Sequence, residues 1–385
     1  MNPFSFNTTK CILFRSGAAA QIDQHTKALL GPRILIVTDP GLRSLGLADP
    51  AIAALEAAGL EVHVFDRVEA DPSVSTLMAA VEAGRAADVT GVLGFGGGSS
   101  LDVAKVAALL LGSDEALEDA WGVGNARGPR LPLVLVPTTA GTGSEVTPVA
   151  ILTVDGDEKR GVSSPVILPD IALLDAELTV GLPAAITAAT GIDAMVHAIE
   201  AYGCTNANNN PISQALAREA LRLLGANIEM ATHDGSNIAA RENMLLGSML
   251  AGQAFANSPV AAVHALAYPI GGIFHVPHGL CNALILTAVL RFNLSHARNS
   301  YDEIAACAFP HLADHPKSDL AEAFIRELQA LIARLQIPQR LRDVGIPEEA
   351  LPRMASDAMK QQRLLVNNPR PVVESDALSI YSEAW

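Results

Sequence analysis

The sequence predicts an α/β region built on a parallel sheet, followed by a region that is all helix. Between Arg33 and about Asp175, short β-branched runs alternate with segments of helical periodicity. Beyond Asp175, alanine, leucine and small residues dominate and β-rich runs become rare. The length of 385 residues exceeds what most single hydrophobic cores enclose, so two domains are expected.

Residues 33–38, 61–65, 89–94 and 131–136 read as buried strands, because each is a short aliphatic run bounded by polar or turn residues. Residues 51–58, 74–87 and 99–111 read as the helices between them. Strands that alternate with helices pair in parallel and are covered on both faces. The stop at Gly181, Leu182 and Pro183 places the boundary at 180/181, giving an α/β domain over 1–180 and a helical domain over 181–385. No internal repeat or low-complexity linker interrupts either part.

Composition narrows the function classes. Half of the residues are hydrophobic and 17% are charged, and no apolar run approaches the roughly 20 residues of a membrane span. No membrane partner is expected. The first eleven residues lack a basic region followed by an apolar core, so no export signal is read and the cytoplasm is the expected address. Cysteines 11, 204, 281 and 307 form no close-spaced pair, which argues for reduced thiols rather than a zinc knuckle or disulfide framework. A net charge of −15 disfavours a nucleic-acid partner.

Two loops carry binding chemistry. Gly94 to Asp102 reads GFGGGSSLD at the end of one predicted strand and the start of a helix. Glycines admit a ligand close to the backbone, and the free amides of the following helix attract phosphate, so a pyrophosphate fits. A glycine-rich turn without a ligand is the plain alternative. The spacing is not G-x-G-x-x-G, since Ser99 stands where the last glycine would fall. The second loop, Pro137 to Glu145, reads PTTAGTGSE directly after another strand. Hydroxyls and glycines at strand ends line the crevice in which α/β sheets bind ligands. Asp39, at the end of the first strong strand, is placed to bind ribose hydroxyls and to repel a 2′-phosphate.

A third stretch, Gly191 to Tyr202, reads GIDAMVHAIEAY. Asp193 and His197, four residues apart, project from one helix face and make half of a metal cage. His264 and His278, fourteen residues apart, can close it; His275 has equally good spacing. Three imidazoles and a carboxylate suit a borderline ion such as Fe(II) or Zn(II). With ten histidines in the chain, coincidental spacings are common and context must decide.

Taken together, five motifs resemble the iron-containing (group III) alcohol dehydrogenases over nearly the whole chain. They are Gly96 to Ser99 with Asp102 and Lys105, Pro137 to Glu145, Gly191 to Tyr202, Val263–His264 with Pro277–His278–Gly279, and Asn367 to Arg370. The resemblance implies a Rossmann-like nucleotide-binding domain followed by an all-α metal domain, the two-domain plan also found in dehydroquinate synthase. It implies NAD(P)-linked interconversion of an alcohol and its aldehyde in the cleft between the domains, and the few charges recognisable around the expected pocket suggest a small neutral substrate, a primary alcohol or aldehyde. Its metal ligands and catalytic centre fall on Asp193, His197, His264 and His278, with Fe(II) expected and Zn(II) the alternative. Its cofactor contacts fall on Asp39, Gly97, Gly98, Ser99, Thr138, Thr139, Thr147, Val149, Lys159 and Leu178, with NAD expected ahead of NADP. A homodimer or larger homo-oligomer is expected by the same resemblance.

The resemblance selects His278, the histidine followed by Gly279, over His275. It also exposes a departure: four residues after His264, where many members carry a second histidine, stands Tyr268. Tyr268 is expected to pack between Leu266 and Ile270, and Phe255 is a candidate for the substrate pocket. The competing readings are a zinc-dependent polyol dehydrogenase or lyase of the same superfold and, from another class, a metal-dependent hydrolase. A change of nicotinamide absorbance with alcohols separates them.

Overall fold

The computed structural model describes residues 3–154 and 158–385. It divides into two compact units. One comprises residues 7–139 and 143–180; the other comprises residues 181–385 together with 140–142 and the N-terminal stretch ending at Phe6.

The first unit carries strands β1 (Cys11–Phe14), β2 (Arg33–Val37), β3 (Glu61–Phe65), β4 (Gly91–Gly96), β5 (Gly122–Val123), β6 (Leu133–Pro137), β7 (Val149–Val154), β8 (Glu158–Ser163) and β9 (Ile171–Leu174). Its helices are α1 (Asp23–Leu30), α2 (Pro40–Ser44), α3 (Asp49–Ala57), α4 (Val74–Ala86), α5 (Gly98–Gly112) and α6 (Leu117–Ala120). Six strands form a sheet in the order β1-β9-β6-β4-β2-β3, and every pairing in it is parallel. Both faces are covered. Along β2, Leu35 and Val37 enter one apolar cluster while Ile34 and Ile36 enter the other, as the alternation of a strand requires.

The four expected strands are β2, β3, β4 and β6, with corrections that have local causes. β4 begins at Gly91, not at residue 89, because α4 ends in a left-handed Asp88 (φ 46) and the Val89 amide bonds back to the Gly84 carbonyl at 3.2 Å. β6 begins at Leu133 because the Leu131 amide is held by the Ala108 carbonyl at 2.9 Å. β3 is less buried than expected, since it closes the sheet and pairs only with β2. Strands β1 and β9 escape the pattern reading as short four-residue strands. A second, three-stranded sheet, β5-β8-β7, contains an antiparallel hairpin of β7 and β8, so the strands are not all parallel.

The second unit contains α7 (Ala184–Gly203), α8 (Pro211–His233), α9 (Ile238–Asn257), α10 (Ala262–Phe274), α11 (His278–Ala308), α12 (Leu320–Arg334), α13 (Leu351–Ala358), α14 (Gln362–Leu365) and α15 (Glu374–Ala384). Small residues let these helices approach closely: a Cβ on Gly225 of α8 would lie 2.0 Å from the Ala308 carbonyl of α11. By length and composition α11 could cross a membrane, which the sequence reading did not anticipate, but 61% of its apolar window is buried inside the protein. It serves as a core helix. The motif at Asn367 to Arg370 is structural: Asn368 and Asn293 of α11 exchange amide hydrogen bonds of 2.7 and 3.0 Å, and Asn367 Nδ2 donates to the Val260 carbonyl at 3.1 Å.

Candidate active site

In the helical unit, α7 presents Asp193 and His197 one turn apart, α10 supplies His264 near its start, and His278 is the first residue of α11. His264 Nε2 lies 3.9 Å and His278 Nε2 3.7 Å from Asp193 Oδ1, and all three ligand atoms fall within 4.8 Å of one another. Two ligands each about 2.1 Å from one ion can be up to about 4.2 Å apart, so both histidine-to-aspartate separations admit a shared divalent cation. His197 is beside this group but not within it. Its ring stacks on His264 at 4.7 Å and on Phe255 at 4.3 Å. The exposed His275, in a left-handed turn after α10, belongs to no such group among the described residues.

Two residues that the sequence reading missed organise these side chains. Glu200 follows Asp193 and His197 at the next turn of the same helix face, a spacing that would have flagged it. Its carboxylate accepts the amides of Ala261 and Val263 at 3.0 and 2.7 Å and lies 2.7 Å from His264 Nδ1. A proton on Nδ1 facing that carboxylate leaves Nε2 free as a ligand. Asn282, four residues after His278, donates from Nδ2 to Asp193 Oδ1 at 2.6 Å, and the same nitrogen lies 3.3 Å from each Nε2.

The electrostatics suit a cation. Burial, reinforced by the neighbouring His264 and His278, brings His197 down to about 3, against a partial opposing pull from Asp193 and the Gly141 backbone. The ring's Nδ1 is buried without a hydrogen-bond partner among the described residues. Neutral imidazole is the ligand form. Burial pushes the Asp193 carboxyl up, but the three histidines and Asn282 outweigh it and hold the group below its ordinary range.

In the α/β unit, Asp39, Gly97, Gly98, Ser99, Thr138 and Thr139 follow the C-terminal ends of the neighbouring strands β2, β4 and β6. Gly97 caps α5 and contributes no side chain to its open amides, with Gly98 and Ser99 opening the helix. The Thr138 amide donates to the Gly96 carbonyl at 3.0 Å, and a Cβ on Gly97 would lie 3.7 Å from the Thr139 methyl, so the two loops are adjacent. Asp39 follows β2 and caps α2, accepting the Leu42 amide at 2.9 Å.

The remaining predicted contacts are engaged by the protein itself. Lys105, fully buried, donates to Ser144 Oγ at 2.7 Å, Thr147 Oγ1 at 3.2 Å and the Val149 carbonyl at 2.6 Å. Burial draws its pKa down, countered by Asp102 and Glu145. Burial also raises the Glu145 carboxyl to about 7. Lys159 pairs with Asp71 at 2.7 Å and donates to Thr153 at 2.8 Å, and Leu178 is buried in a 3-10 turn. Tyr268 departs from the expected simple packing: its ring centroid lies 6.3 Å from that of His278, and its oxygen accepts from Arg363 Nη2 at 3.2 Å.

Two family models match the chain: "Iron-containing alcohol dehydrogenase" over residues 9–176 and "Fe-containing alcohol dehydrogenase family, C-terminal" over residues 187–385. The long-chain-alcohol dehydrogenase 1 of Geobacillus thermodenitrificans is 40% identical over 96% of this chain and 93% of its own length. The crystal structure of a 1,3-propanediol oxidoreductase superposes with a TM-score of 0.95 at 35% identity, covering 100% of both chains. That of sulfoacetaldehyde reductase from Bifidobacterium kashiwanohense in complex with NAD+ gives 0.87 at 29% identity over 99% of this chain and 98% of that one. The chain belongs to the iron-containing alcohol dehydrogenase family.

Proposed function

We propose that this family member is a metal-dependent, NAD-linked alcohol dehydrogenase that interconverts small primary alcohols and aldehydes. The observation that carries the reading is the convergence of Asp193, His264 and His278 with Glu200 behind His264. Asp193, His197, His264 and His278 would hold the ion, with iron(II) preferred over zinc(II) on family membership. When bound, the ion supplies Lewis-acid polarisation of a substrate oxygen, and NAD accepts or returns the hydride. The chain's own residues do the positioning. Glu200 fixes the His264 tautomer, Asn282 aims the Asp193 carboxylate, and the Phe255 ring holds His197 by stacking.

For the cofactor, the glycine loop over 97–99 and the hydroxyls of Thr138 and Thr139 would receive the pyrophosphate at the open end of α5. Thr147, Val149, Lys159 and Leu178 would complete the contact surface. Asp39 would meet the adenosine ribose, favouring NAD because a 2′-phosphate would face like charge. The four free cysteines accord with a reducing cytoplasm, and homo-oligomeric assembly follows family precedent.

The test is anaerobic reconstitution with Fe(II) or Zn(II), metal analysis, and nicotinamide absorbance with a panel of alcohols and both cofactors. Turnover with Fe(II) and NAD is expected. His264→Ala should lose metal and turnover while keeping NAD binding, whereas His275→Ala keeps both. Asp39→Gly should narrow the NAD over NADP preference by about tenfold or more. Full metal content and rate in His264→Ala would overturn the ligand assignment.

A further inference from the structure

We infer that Arg363, positioned by Tyr268, is a substrate-specificity residue that binds an oxyanion, a carboxylate or sulfonate, at the far end of a short hydroxy- or oxo-acid substrate. This rests on the alcohol dehydrogenase reading and names the substrate class of the same site. The metal-ligand cluster opens at one member only: the side chains of Asp193 and His264 are 2% and 4% exposed, that of His278 40%. A substrate reaching the cluster passes His278, and Tyr268 stands beside that ring.

Arg363 makes the Tyr268 surroundings cationic. One Nη2 bond to the phenol oxygen, 3.2 Å long, holds a guanidinium whose carbon lies 6.0 Å from the ring centroid. Arg291, Arg298 and Arg334 are each paired with a carboxylate; among the described residues the exposed Arg363 has none within ion-pair distance, and its side chain meets the Tyr268 oxygen and ring. A guanidinium has five N–H donors in a planar fork, so most of its capacity remains for a bidentate oxyanion. The backbone beneath it is tied to the metal ligands. Asn367 Nδ2 bonds both the Arg363 and the Val260 carbonyls at 3.1 Å, and the adjoining amides of Ala261 and Val263 are held by Glu200, the partner of His264. Arg363 is thus built into the framework that places His264.

The experiment compares length-matched substrates, 4-hydroxybutanoate, 3-hydroxypropane-1-sulfonate and 1-butanol, on the metal- and NAD-loaded enzyme. A charge-assisted pair of hydrogen bonds predicts kcat/KM for one or both anions about tenfold to a hundredfold above 1-butanol. Arg363→Gln brings that ratio to about one, and Arg363→Lys retains part of it. The two anion arms tell carboxylate from sulfonate. A wild-type preference for 1-butanol, or an unchanged ratio in Arg363→Gln, overturns the inference. If no alcohol is turned over, the dehydrogenase reading fails on its own account. Calorimetric binding of 4-hydroxybutanoate to wild type and to Arg363→Gln then decides the anion site separately: tighter binding to wild type supports it, equal binding overturns it.

Discussion

Glu200 shows how one side chain can govern a site that it does not enter. Its carboxylate satisfies the Ala261 and Val263 amides at the start of α10 and the His264 ring together, so helix placement and ligand tautomer depend on the same group. Outer partners of this type are typically worth about 10- to 100-fold in metal affinity. Glu200→Gln keeps the shape and one accepting oxygen, but turns an NH2 group towards one of the two backbone amides and removes the charge facing Nδ1. We expect metal affinity to fall by about that factor and the metal-free protein to lose about 1–3 kcal/mol of stability for the amide left without an acceptor, as read by metal titration and calorimetry. Equal affinity in the variant would show that His264 needs no such partner.

At the scale of elements, Lys105 is the tie between α5 and the segment leading into β7. Its ammonium is completely buried, and it bonds Ser144, Thr147 and the Val149 carbonyl while Asp102 accepts the Ile151 amide at 2.8 Å. Two motifs that look like separate loops in the sequence are therefore one polar network. Lys105→Met leaves Asp102 and Glu145 without their cation, and breaking a buried charge network costs about 3–5 kcal/mol. Denaturant unfolding should show a loss of that order, with weakened NAD binding because Thr147 and Val149 lose their anchor. A loss below about 1 kcal/mol would mean that the network is closer to neutral than charged.

For the molecule as a whole, two buried carboxyls set opposite pH trends. Glu145 stands at about 7, against an ordinary 4.5, because of burial. The folded chain then holds a proton that the unfolded chain has released, so stability falls as pH rises between these values. Asp170 behaves the other way. Burial pushes it up, but Arg130, Lys10 and the Leu133 amide outweigh that and hold it at about 2, against 3.8. Its contribution is full above the unfolded value and disappears as pH falls from about 3.8 towards 2. Between pH 5 and 6.5 His197, held at about 3 against an ordinary 6.5, opposes Glu145, so Glu145 is read by difference: the unfolding midpoint of Glu145→Gln should rise relative to wild type as pH goes from 5 to 7. Asp170→Asn should flatten only the acid limb. A Glu145→Gln profile parallel to wild type would refute the first assignment.

The local pattern was enough to announce the parallel sheet and the helix that carries Asp193 and His197, because burial on one or both faces imposes a period on neighbouring residues. Ile34 to Val37 could only be a strand covered on both sides, and the spacing of Asp193 and His197 placed both on one helix face. Glycine and hydroxyl loops at strand ends were legible for the same reason: their backbone and hydrogen-bonding demands are local. Which distant groups meet was not. Glu200 and His264 are 64 residues apart, Asn282 and Asp193 89, and Arg363 and Tyr268 95. The short strands β1 and β9 carried too little pattern to announce themselves, and β1 gains its place only by pairing with β9. Periodicity records that a side chain is buried or exposed; only the packed helices decide which carboxylate faces which imidazole, and which cation meets Tyr268.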